Sequence, residues 1–100
     1  MNTHELNTRG RSHTALRTEL DRQGPLHPRE RELLLAAADA LLFDEPDAEL
    51  WRIEATALLE GLEILERRTA AEASRLRDAL EGCGDGAYRR CQRRVSDIPA

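Results

Sequence analysis

One hundred residues make one small domain, and 14 of its 40 apolar residues are alanine, so large apolar side chains are few. An aromatic content of 3% and a single valine argue against strands, while abundant Leu, Ala, Glu and Arg favour helix. The net charge of −4 divides into +1 over residues 1–25, −7 over 26–81 and +2 over 82–100, and the acidic middle argues against a nucleic-acid face there, because it repels phosphates.

Residues 1–11 are polar and show no core-facing pattern beyond Leu6, which predicts a flexible N-terminus with no apolar secretion signal. From Ser12 to Gln23 a weak amphipathic helix is predicted, with His13, Leu16 and Leu20 on one face. Gly24 and Pro25 end it, glycine because it accepts the left-handed C′ conformation and proline because it cannot continue the ladder.

Pro28 opens the second predicted helix, where its missing N–H costs nothing, and Glu30 and Glu32 favour the helix dipole. Leu34, Ala37, Ala38 and Leu41 recur at helical spacing. Leu33, Leu35 and Leu42 widen that face, so this helix needs cover on two sides. The run from Leu33 to Phe43 is too short to span a bilayer, and the cytoplasm is the expected compartment.

The segment LHPREREL, Leu26 to Leu33, resembles the first helix of LuxR-type response-regulator output domains. That resemblance implies a DNA-binding helix-turn-helix, and it covers these residues alone. Beyond them Ala40 stands near the expected glycine of the turn. Pro46 would fall inside the scaffold helix, at a cost of about 3 kcal/mol. Glu49, Glu54, Glu60, Glu63 and Glu66 would then face phosphates. The reading stays with a shared way of starting a helix.

Asp44 to Asp47, DEPD, is a short acidic turn that makes the second and third helices antiparallel neighbours. The third predicted helix runs from Pro46 to Glu81, capped by Asp44 or Glu45. Trp51, Ala55, Leu58, Leu62, Leu65, Thr69, Ala73, Leu76 and Leu80 form a heptad-like seam along it, with one slip near Thr69. Leu50, Ile53, Ala57, Gly61 and Ile64 form a second line beside the seam. A helix this long is unusual in so short a chain, so a break near Arg67–Ala70 is an open alternative. Glu63–Arg67 and Arg68–Glu72 are spaced for i,i+4 pairs on a solvated face.

Gly82 to Gly86 read as a glycine hinge, and 82–100 as a tail containing RRCQRR. The expected organisation is therefore 1–11 flexible, 12–81 a helical bundle, and 82–100 hinge and tail. The expected fold is an all-α antiparallel hairpin or three-helix bundle, with four helices if the long one breaks near residue 68.

The sequence shows no catalytic, cofactor or metal signature. His4, His13 and His27 lack carboxylates at metal-binding spacing, and Cys83 and Cys91 lack a second ligand pair. Glu60, Glu63 and Glu66 read as a solvated face rather than acid–base groups. Asp39 reads as a polar boundary residue. Cys91, among arginines, is expected to be an inert thiol. No glycine loop carries the residues that bind phosphate.

The expected function is a non-enzymatic protein–protein interaction or regulatory module, either self-associating or binding another helical protein. Trp51, Leu58, Leu62, Leu65, Leu76 and Leu80 are the candidate contacts. The alternative is a nucleic-acid-associated regulator using Arg89, Arg90, Arg93 and Arg94, which would bind weakly and in a salt-dependent way.

Overall fold

A computed structural model describes residues 3–84. Four helices follow in order: α1 (Thr3–Gln23), α2 (Pro28–Leu42), α3 (Ala48–Ile64) and α4 (Ala70–Gly82). Among the described residues there is no strand, and no helix is long and apolar enough to cross a membrane. The all-α bundle is as expected, and of the two alternatives for the long third helix the broken one is observed.

Polar pairs along the helices fix the topology. Gln23 Nε2 donates to the Glu72 carbonyl at 3.1 Å, while Arg9 Nε at the other end of α1 donates to the Cys83 carbonyl at 2.7 Å. Helix α4 therefore runs antiparallel to α1. His13 Nε2 lies 2.6 Å from Asp39 Oδ1, and Arg31 donates to Asp21 at 3.0 Å, so α2 is also antiparallel to α1. With short turns between the remaining neighbours, the bundle alternates in direction from helix to helix. Helix α1 packs most extensively on α4, and α2 on α3.

The helix ends are specified locally. His27 and Glu30 form a capping box at the start of α2, and Thr69 and Glu72 form one at the start of α4. Gly24 ends α1 with φ of 92°, as the sequence required. The ends of α2 and α3 make the same left-handed turn without glycine: Asp44 has φ of 51° and Glu66 has φ of 57°. In each case a backbone N–H reaches back five residues, from Glu45 to the Ala40 carbonyl and from Arg67 to that of Leu62. Helix α3 starts at Ala48 with Asp47 as N-cap, later than the expected Pro46. The Asp47 carboxylate accepts the Trp51 indole N–H at 3.1 Å instead of capping the backbone.

The core is leucine and alanine: Leu16 and Leu20 from α1, Leu34, Ala37, Ala38 and Leu41 from α2, Ala55, Leu59 and Leu62 from α3, Leu76 and Leu80 from α4, and Cys83. Gly82 lets α4 approach α1 closely, since a Cβ there would collide with the Ser12 side chain.

Residues 3–11, expected to be flexible, are helical: α1 begins at Thr3, and Arg9 is the buried charged residue of the described core, 3% exposed. Its guanidinium donates to the Leu41 carbonyl near the end of α2, to the Cys83 carbonyl at the end of α4, and to Asp44 at 2.9 and 3.3 Å. Both carbonyls belong to helix termini that lack intrahelical donors, and a cation suits the negative end of a helix dipole. One side chain thus ties three helices together. The pairing also holds the Asp44 carboxyl below the usual carboxylate range.

Candidate interaction face

The six expected contact residues do not share one surface. Leu62, Leu76 and Leu80 are enclosed in the chain's own core, and Trp51 and Leu58 are partly buried against it. Only Leu65 is strongly exposed, at 68%. The exposure of Leu65 has a simple cause. A residue seam repeating every 3.5 positions drifts about 20° per heptad around a straight helix. By Leu65, two heptads after Trp51, the seam has left the core. Leu59, outside the seam, takes the central place and is fully buried.

The predicted i,i+4 pairs across the break are also corrected. Helix α3 ends before Arg67, whose guanidinium instead pairs with Glu30 of α2 at 2.7 and 2.8 Å. That pairing lowers the Glu30 pKa from its ordinary value. Arg68 donates to the Gly24 carbonyl at 3.0 Å. Thr69, placed in the seam by periodicity, is the exposed N-cap of α4. The T-x-x-E spacing of Thr69 and Glu72 was the signal that could have located this break.

What remains uncovered is the second line of α3. Leu50, Ile53 and Ile64 are 66%, 51% and 79% exposed, and Ala57 between them is exposed too. At about 100° per residue these positions lie opposite Ala55, Leu59 and Leu62. Helix α3 is therefore apolar on two opposite faces, and this chain's described residues cover one. Gly61 belongs to the uncovered line. A Cβ added there would meet nothing within 4 Å, so Gly61 has no packing reason of the kind Gly82 has. A helix-interior glycine costs about 1 kcal/mol relative to alanine.

The surroundings of this line are acidic. Residues 44–66 hold Asp44, Glu45, Asp47, Glu49, Glu54, Glu60, Glu63 and Glu66 against Arg52 alone. Arg52 is engaged by Glu49, which lowers the Glu49 pKa from its ordinary value. Glu54 flanks one side of the apolar line, and Glu49, Glu60 and Glu63 flank the other.

Among the described residues no group of His, Cys, Asp and Glu could hold a metal ion. Asp39 stands at the bundle surface beside His13, and Glu60, Glu63 and Glu66 are exposed. Burial pushes the Cys83 thiol up to about 11, which leaves it protonated and unreactive near neutral pH. Cys91 and Arg89, Arg90, Arg93 and Arg94 lie outside the described residues. No protein-family model, curated protein or solved structure matches the chain.

Proposed function

We propose that this chain is a non-enzymatic protein–protein interaction module, and that its docking surface is the outward line of α3 rather than the Trp51–Leu80 seam. The observation that carries the reading is the exposure of Leu50, Ile53 and Ile64 along one helix face. Contiguous apolar surface rimmed by charge is a usual mark of a binding site. Gly61 supports it, because a close-approaching partner would give that glycine the role its own chain does not. A symmetric dimer through α3 would set two acidic rims against each other, so a partner with a basic rim fits better than a second copy.

The test is a photo-cross-linking amino acid placed at Ala57, and separately at the exposed Ala71 of α4, in the native host. Discrete adducts from position 57, lost when Ile53 and Ile64 are both changed to Ser, are expected. Equal adducts from both positions, or none from 57, would refute the reading.

A further inference from the structure

We infer that the partner of the outward face of α3 is one amphipathic helix of another protein, about four turns long, with lysine or arginine beside its apolar line. The inference names the partner class for α3 as a docking face and rests on that reading. The form of the face is the first support. An extended peptide joins a sheet edge, and the described residues contain no strand. A polyproline segment seats on aromatic rings, and the outer line carries none. A phosphorylated segment needs clustered arginines, and this rim is acidic. An apolar helix ridge is met by a second helix, ridge into groove.

The second support is the spacing of the line. Leu50, Ala57 and Ile64 are seven residues apart, and Ile53 follows Leu50 by three, which is the spacing of a helix–helix seam. From Leu50 to Ile64 the line is about 21 Å long, so four turns of a partner helix cover it. Ala57 and Gly61 leave its middle low, and a Cβ on Gly61 would meet nothing, so the partner backbone comes close there.

The third support is charge. Seven residues beyond Ile53 the next seam position is Glu60, a carboxylate where the pattern asks for an apolar side chain. Glu60 is exposed and, like Glu54 and Glu63 beside the line, has no ion pair among the described residues. Glu30, Asp44 and Glu49 by contrast each hold an arginine. A wholly apolar partner would enclose the Glu60 carboxylate unpaired, which is costly. A lysine or arginine opposite Glu60 supplies the missing charge and fixes the register. A second copy fails on the same ground. Parallel pairing sets Glu60 against Glu60, and antiparallel pairing centred on Ala57 sets Glu60 against Glu54.

The experiment titrates synthetic peptides of about 18 residues into the intact, isotope-enriched chain. The first peptide carries a leucine and alanine heptad seam flanked by Lys. The second has the same seam flanked by Glu. The third has the composition of the first in an order that forms no helical face. The first peptide is expected to shift the amide signals of Leu50, Ile53, Gly61 and Ile64, and to leave those of Arg17 and Thr18, exposed on α1, in place. It should bind at least about tenfold more tightly than the second at low salt, and high salt should remove most of the difference. Changing Glu54, Glu60 and Glu63 together to Gln should cut that preference several-fold, with circular dichroism showing the fold kept.

Equal binding of the Lys and Glu peptides, equal binding of the permuted peptide, or no shift on α3 overturns the inference. A preference unchanged by the three Glu→Gln changes also overturns it, because the rim then plays no part. The two readings separate cleanly. Adducts from position 57 without a Lys preference overturn the basic helix and leave the docking face. A Lys preference confined to α3 without adducts supports the helix as the form this face accepts and removes docking in the host.

Discussion

Leu59 and Ile64 belong to the same helix, yet one is fully enclosed and the other is 79% exposed. The inner face of α3 is closed by α2 and α4, and the outer face is apolar with nothing from the described residues upon it. Both faces follow from one amphipathic pattern drawn twice around the same cylinder. The difference teaches that hydrophobic periodicity reports which side chains want cover and does not report who supplies it.

The largest expected effect tests the inner face. Leu59→Ala should cost roughly 2–5 kcal/mol in denaturant unfolding, because it removes a packed side chain and leaves a cavity. Ile64→Ala on the outer face should change stability by no more than about 0.5 kcal/mol. Equal losses at both positions would abolish the distinction.

Arg9→Met comes next. It leaves the Cys83 carbonyl without its side-chain donor and the Leu41 carbonyl with the Asp44 N–H at 3.3 Å, and an orphaned buried acceptor costs about 1–3 kcal/mol. A loss of about 1–3 kcal/mol is expected, while Asp44→Asn, at an exposed carboxylate, should cost less.

Gly61→Ala should raise stability by roughly 0.5–1 kcal/mol, since the helix gains propensity and the added methyl meets nothing. The same change should weaken whatever binding the outer face supports. Gly82→Ala should instead destabilise, because its methyl meets Ser12. This pair of glycines separates a role inside the bundle from one outside it.

The smallest effect is the pH dependence of single ion pairs. Asp44 beside Arg9 and Glu30 beside Arg67 have folded pKa values below their ordinary ones. Their contribution is present above the unfolded carboxylate range, about 3.9–4.3. It is lost as pH falls through the lower folded values. Stability should therefore fall modestly below about pH 5, because solvent screens one partner of each pair. Arg67→Gln should flatten the Glu30 part of that fall in acid titrations followed by circular dichroism.

The second half of α1 and all of α2 were legible in the sequence, whereas the break between α3 and α4 was legible only as an alternative and residues 3–11 of α1 not at all. Gly24, Pro25 and Pro28 punctuate the sequence where the chain turns, and the leucine spacing marks α2 and α3. The buried Arg9 was not legible, because a polar N-terminal segment offers no periodicity. Its burial depends on three acceptors distant in sequence that only the bundle gathers. Tertiary structure also decided which apolar line of α3 faces inward. The heptad seam and the outer line were both visible as patterns, and a straight helix meeting α2 and α4 at Leu59 selected between them. Local interactions set helix ends, so residues near in sequence determine them. The closed side of a helix is set by neighbours far along the chain, and that choice exists only once the bundle has formed.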